Sequence, residues 1–289
     1  MSDDPLANWN GVVMPLSEAR VSVLDRGFLF GDGVYEVLRI YSGQPFLEAE
    51  HLDRFRRSLD KISIDCDVQR LIGRMRETLS HSGVQEGLIY IQVTRGTAPR
   101  THRFPTGGTA PNELIYIEGF TEEPYGMFRD SGGTAITVPD MRWKRCDIKS
   151  VNLLANCMAA QQAAEAGCVE ALLIDENGIV NEGSHTSVFG VRDGAILTSP
   201  LSPAILPGIT RGLVTKLADS CGIPLREQSF TVSEIVELDE LFLTGTTAEV
   251  LPLVRVDGTS VNDGLPGPVT RQLQQAYQDF VAESLSQTR

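Results

Sequence analysis

The sequence predicts a mixed α and β fold arranged as two lobes with a cleft between them, and three observations lead there. The chain of 289 residues is long enough to bury two cores. Its apolar periodicity switches repeatedly between the strand value of two and the helical value of 3.6. The pattern breaks at GFTEEPYG (119–126), where Gly, Pro and acidic residues mix without periodicity. The expected organisation is a smaller N-terminal α/β domain over 1–120, a linker over 121–126 and a larger C-terminal domain over 127–289.

The first period-two stretch is VYEVLRIY (34–41), a strand. EHLDRFRRSLDKI (50–62) then sets Leu52, Phe55, Leu59 and Ile62 on one helical face. VQRLIGRMRETLSHSG (68–83) does the same with Val68, Leu71, Ile72, Met75 and Leu79, and Gly83 stops it. Strands follow in LIYIQVTRG and ELIYIEGF. Between them lies TAPRTHRFPTGGTAPN, a long loop rich in Pro, Gly and Thr, of the kind that carries function. The second half alternates TAITVPD, a helix over 152–166, CVEALLIDENG, HTSVFGVRDG, a helix opening near PGITRG, and DELFLTG. It closes with an amphipathic helix, PVTRQLQQAYQDFVAESL. GDG at 31–33 precedes a strand instead of a helix, so a hairpin turn is expected there and not a dinucleotide fingerprint.

Composition is that of an ordinary soluble protein, 42% hydrophobic and 22% charged, with no apolar run long enough to span a bilayer. The acidic start MSDDPLAN lacks a secretory pattern, so a cytoplasmic location and no membrane partner are expected. Five scattered cysteines with no CxxC pair and no suitably spaced His predict reduced thiols and no metal. A net charge of −13 argues against a nucleic-acid partner. An anionic ligand would have to be held by local positive charge, which draws attention to clustered arginines.

One such cluster is RWKRCDIKS (142–150), directly ahead of the helix candidate. By residue type alone Lys149 is a surface lysine at a strand end. Alternatively, neighbouring cations or desolvation would disfavour its ammonium form and free the amine to attack a carbonyl. Arg142, Lys144 and Arg145 could supply the repulsion, but strand geometry sends alternate side chains to opposite faces and Asp147 opposes them. Local sequence leaves the choice open. Further on, IVNEGSHTSVFG places Glu182 before a turn of small residues. ILPGITRG sets Gly208 and Thr210 at a helix start, where unpaired N–H groups suit a phosphate, and LTGTTAEV offers Thr246 and Thr247 after a strand.

RWKRCDIKSVNLLANCMAAQQA, EALLIDENGIVNEGSHTSVFG, ILPGITRG and LFLTGTTAEV, in that order, resemble class IV aminotransferases, the pyridoxal-phosphate enzymes of fold type IV. The resemblance runs from about Leu24 to the C-terminal helix. It implies a two-domain fold with pyridoxal 5'-phosphate in the cleft between the domains. It makes Lys149 the lysine that forms the Schiff base with the cofactor and shuttles the substrate proton. Glu182 becomes the carboxylate beside the pyridine nitrogen. Arg54, Ile209, Thr210 and Thr246 become the phosphate ligands.

The loop VTRGTAPRTHRFP is similar to that of the D-amino-acid aminotransferases within this family. The similarity implies that Tyr35, Arg100 and His102 trap the substrate carboxylate, with Val37 on the face of Tyr35. It also implies a homodimer in which loop 99–105 serves the neighbouring active site. The reaction implied moves an amino group between a D-amino acid, such as D-alanine or D-glutamate, and a 2-oxo acid, pyruvate or 2-oxoglutarate. Branched-chain L-aminotransferases and aminodeoxychorismate lyase share the other motifs and are the alternatives. Two positions depart from the pattern. His185 stands where a serine is usual, and Arg39 stands where a lysine often follows the strand. Arg39 would there change how a substrate side chain is met.

Overall fold

A computed structural model of the chain describes residues 4–287. It divides into two compact units. The first is built from the chain up to Glu122 together with Ile148–Asn152, and the second from Glu123–Asp147 and the chain from Leu153 onward.

In the first unit, strands β1 (Leu6–Trp9), β2 (Val12–Pro15), β3 (Gly33–Tyr41), β4 (Gln44–Pro45), β5 (Gly87–Thr94) and β6 (Asn112–Gly119) form one sheet, ordered β2-β1-β6-β5-β3-β4. Every pairing in it is antiparallel. Helices α1 (Arg26–Phe30), α2 (Glu48–Lys61) and α3 (Val68–Ser82) complete the unit. Leu52, Phe55 and Leu59 of α2 and Leu71, Met75 and Leu79 of α3 pack on Val34, Leu38, Ile40, Ile89, Ile91 and Ile115 of the sheet. These are the faces that the helical and strand periods select. Full burial of each large apolar side chain contributes about 1.5–3 kcal/mol.

GDG is not a hairpin turn. Residues 26–30 form a short helix, which Asp25 caps by accepting from Gly27 N and Phe28 N. Gly31 ends it in the left-handed region at φ 67°. The sequence expectation failed because one and a half helical turns are too short to show a period, so only the Gly residues were visible.

The second unit contains α4 (Gly126–Ser131), β7 (Gly133–Pro139), α5 (Leu154–Glu165), β8 (Glu170–Ile174), β9 (Val180–Gly183), β10 (Ser187–Arg192), β11 (Ala195–Thr198), α6 (Ile209–Ser220), β12 (Leu225–Glu227), β13 (Glu240–Gly245), β14 (Glu249–Val256), β15 (Thr259–Ser260) and α7 (Pro268–Gln287). Its sheet runs β12-β11-β10-β13-β14-β7-β8-β9, with β15 on β14. The β14/β7 and β7/β8 pairs are parallel, and β10/β13/β14 are antiparallel. No helix among the described residues is long and apolar enough to cross a membrane.

Candidate active site

Strand β3 alternates as its sequence requires. Val34, Glu36, Leu38 and Ile40 point into the core of the first unit, while Tyr35 and Val37 are half-buried on the other face. Glu36 is therefore a carboxylate at a core position, with 0% exposure. It is satisfied by Arg54, whose Nε and one terminal nitrogen donate to it at 3.0 and 2.6 Å, and by His51 Nδ1 at 3.0 Å. Burial works against the charge of Glu36, but Arg54 and His51 more than offset it and hold the carboxyl well below the usual range. Burial pushes His51 down, against the pull of Glu36.

His51, Arg54 and Ser58 form a buried polar stripe on α2, beside its apolar one. Ser58 uses it to reach Lys149, whose backbone N–H donates to Ser58 Oγ at 3.2 Å. The segment Ile148–Asn152 lies along the start of β3: Tyr35 N donates to Lys149 O at 3.0 Å and Val151 N to Gly33 O at 3.1 Å. Ile148 is buried in the core of this unit, which pins the backbone next to it. Alternation then turns the half-buried Lys149 side chain to the Tyr35 face. Its Nζ donates to the Tyr35 hydroxyl at 3.3 Å and lies 4.3 Å from the ring centre.

Arg39 is engaged within the first unit. It is 2% exposed and donates to Ile40 O, Gly87 O and Glu86 Oε2 at 2.7, 3.0 and 2.8 Å, with its guanidinium 4.4 Å from the Tyr41 ring centre and 4.7 Å from that of Phe120. Its group is committed to the end of the sheet. Arg100 and His102 are exposed and gather around Phe30, at 5.4 and 5.7 Å from its ring centre. Arg26 ties the loop to α1 by donating to Thr101 O at 2.7 Å.

In the second unit the NEGSHTS, PGIT and TGTTA stretches meet. Ser187 and Thr244 are cross-strand partners on β10 and β13. A Cβ placed on Gly245 would lie 3.4 Å from Thr186 Cγ2, and one on Gly208 would lie 2.7 Å from Ser187 Oγ. Thr246 sits in the tight β13–β14 turn, where Arg129 holds Thr247 O at 2.9 Å. Gly208 is the N-cap of α6 and, among the described residues, no side chain caps the helix, so the N–H groups at Ile209 and Thr210 have no intrahelical acceptor and suit an anion. Glu182 is buried, accepts from Leu206 N with both oxygens at 3.2 and 3.1 Å, and pairs with Arg142. Burial pushes its carboxyl up to about 7, against the lowering effect of Arg142.

Two carboxylates, Glu36 and Glu170, escape a reading of motifs. Glu36 has a sequence signal, an acidic residue in the core register of an alternating strand. Glu170 shapes the NEGSHT turn by accepting from Ser184 N, Ser184 Oγ and Thr186 Oγ1 at 3.0, 2.5 and 2.7 Å. Arg142 is held by Asp140 and Glu182, and Arg145 by Asp147, so neither is an unpaired cation of the RWKRCDIKS stretch.

The sequence profile of the amino-transferases of class IV matches residues 33–256. The chain is 42% identical over 275 residues to D-alanine aminotransferase of Staphylococcus aureus (strain MSSA476), covering 94% of this chain and 96% of that one. It is 41% identical over 282 residues to D-alanine aminotransferase of Bacillus licheniformis, covering 97% and 98%. Among solved structures, branched-chain amino acid aminotransferase of Escherichia coli matches with a TM-score of 0.88 at 27% identity over 96% of this chain and 94% of that one. A second branched-chain amino acid aminotransferase, solved with pyridoxamine 5'-phosphate, gives 0.87 at 28% over the same shares. 4-Amino-4-deoxychorismate lyase of Pseudomonas aeruginosa gives 0.83 at 25% over 95% and 98%. The chain belongs to the class IV aminotransferases, with their mixed α and β, fold type IV architecture. Its cofactor is pyridoxal 5'-phosphate. The residues present fit that group: an uncapped helix start for a phosphate, a buried carboxylate for a pyridinium, and a half-buried lysine amine for an aldehyde.

Proposed function

We propose that the protein is a D-amino-acid transaminase, exchanging the amino group of a D-amino acid such as D-alanine or D-glutamate with pyruvate or 2-oxoglutarate. The observation that carries the chemistry is the Lys149 amine held against the Tyr35 hydroxyl, within a chain 42% identical to a D-alanine aminotransferase along nearly its whole length. When bound, pyridoxal phosphate supplies an aldehyde that condenses with amines and a ring that withdraws electrons from the substrate α-carbon. Lys149 Nζ takes the α-proton and returns it, and Tyr35 orients that amine by accepting its hydrogen bond. The negative charge of Glu182 holds a proton at the pyridine nitrogen. Ile209, Thr210, Thr246 and Arg54 hold the phosphate. Val37 lines the substrate side chain, and Tyr35, together with Arg100 and His102 from the neighbouring subunit of a homodimer, binds the substrate α-carboxylate. Small-molecule amino acids and 2-oxo acids are the partners, and the cytoplasm is the location.

The test mixes purified protein with D-alanine and, separately, with L-leucine while following the visible absorbance of the lysine-bound cofactor. Loss of the band with D-alanine alone supports the proposal. Loss with L-leucine alone turns it to a branched-chain enzyme, and pyruvate release without an amino acceptor turns it to a lyase. Borohydride reduction followed by peptide mapping is expected to label Lys149, and a label on Lys144 overturns that assignment.

A further inference from the structure

Behind Glu182 lies a chain of buried charges that the proposed reaction does not itself require. Arg142 Nε and one terminal nitrogen donate to the two oxygens of Asp140 at 2.9 and 2.7 Å, and its other terminal nitrogen donates to Glu182 Oε1. Arg142 also donates to Ala204 O at 3.1 Å, while Asn181 Nδ2 donates to Asp140 at 3.0 Å. The side chains of Arg142 and Glu182 are both 7% exposed. A carboxylate this far from water takes up a proton unless a fixed charge opposes it. Arginine suits the task, since its planar fork stays charged and engages two carboxylates at once.

We propose that Arg142, locked by Asp140, is the positioning residue that opposes protonation of the buried Glu182 and fixes its direction, so that this one guanidinium sets how readily the pyridine-nitrogen site offers a carboxylate instead of a neutral acid. The inference rests on the role proposed above for Glu182. The groups facing Glu182 are consistent with it. Burial drives the carboxyl up, Arg142 and the Leu206 N–H drive it down, and Asp140 adds a smaller upward push. Burial pushes the Cys146 thiol up to about 11, so it faces Glu182 uncharged at neutral pH. Asp140 itself is kept ionised against burial by Arg142 and Asn181. Loss of Arg142 leaves the burial effect nearly unopposed, and a neutral Glu182 gives a pyridinium no counter-charge.

The experiment is a difference-infrared titration of the cofactor-free protein, with Glu182→Gln as the blank that assigns the carboxyl band. In Arg142→Met the Glu182 midpoint is expected to rise by at least one pH unit, a tenfold change in its protonation constant. The acid limb of turnover with D-alanine moves the same way, and Arg142→Lys recovers part of both shifts. An unchanged midpoint in folded Arg142→Met overturns the proposal. Should that variant not fold, the double variant Asp140→Asn/Arg142→Met leaves no unpaired carboxylate at 140, and the same rise is required of it because the Arg142 effect exceeds that of Asp140. Full turnover in Glu182→Gln would remove the pyridine-nitrogen role while leaving the titration result intact, so the two failures are distinguishable.

Discussion

Glu36 and Glu182 are both buried carboxylates, yet their surroundings drive them in opposite directions. Glu36 has two nitrogens of Arg54 and one of His51, and stays ionised. Glu182 shares a single arginine with Asp140, and burial wins, raising it from 4.5 to about 7. A group whose pKa rises on folding binds its proton more tightly in the folded state. Its stabilising contribution is fully present below the unfolded value and is lost as pH climbs through the folded one. For Glu182 that window runs from 4.5 to about 7. In cofactor-free protein, Glu182→Gln should therefore gain on wild type across this window, by up to about 3 kcal/mol. Urea unfolding of both proteins at a series of pH values measures the gap, and a gap that does not change with pH would reject the shift. A residue such as Glu36 is legible in sequence because alternation names its face. Arg142 is not, since its partners Asp140 and Glu182 come together only through the pairing of β8 with β7 and β9.

The turn between β9 and β10 shows what an element adds to its motif. Its shape comes from Glu170 on the adjacent strand, whose 1% exposed carboxylate gathers Ser184 and Thr186. Gly183 is required by that proximity, because a Cβ there would lie 2.2 Å from Thr186 Oγ1 and 2.7 Å from Glu170 Oε2. The carboxylate is held by several donors and has little room to withdraw. Gly183→Ala should cost about 1–3 kcal/mol, as for overpacking in a filled core, and should weaken cofactor binding because Glu182 is the preceding residue. Urea unfolding and equilibrium dialysis of pyridoxal phosphate measure the two effects, and wild-type values in both would show that the turn relaxes freely. Long elements such as α2, α3 and β3 were legible because each holds several periods. The short strands β1, β2, β9, β11 and β12 hold too few. Strand β14 hid for another reason: most of it is buried and it contains Pro252, so it shows no alternation and carries a residue that argues against a central strand.

At the scale of the whole molecule, five residues around Lys149 return to the first unit, and a stretch that short has no period to announce the return. The same unit exposes Val23, Phe28 and Phe104 by 69%, 66% and 55%, on segments that Arg26 joins to the loop carrying Arg100 and His102. Large apolar side chains exposed beside a loop of charged ones are what a subunit interface would cover. If the loop serves a neighbour's site, dilution below the dimer dissociation constant should abolish activity, and a fully active monomer by light scattering would refute the arrangement. The stereochemical claim depends on the same loop. If Arg100 binds the substrate carboxylate as proposed, truncating it to Leu removes the charged partner of a group desolvated on binding, which should cost about 2–5 kcal/mol. The smaller figure already exceeds tenfold in kcat/KM. Because the Lys149 backbone is fixed by Ile148 in the core and by Ser58, the placement of the amine proposed to move the proton does not change in the variant. What changes is how the substrate is turned toward that amine, so Arg100→Leu should lose preference between D- and L-alanine as well as rate. Labelling of Lys149 by borohydride in the presence of cofactor should be unaffected and serves as the control. The measurement is kcat/KM for both alanine enantiomers in wild type and variant. Near wild-type efficiency with D-alanine would mean that the loop does not bind the carboxylate, and an L-specific branched-chain activity would then be the better account of the same Lys149 and Glu182.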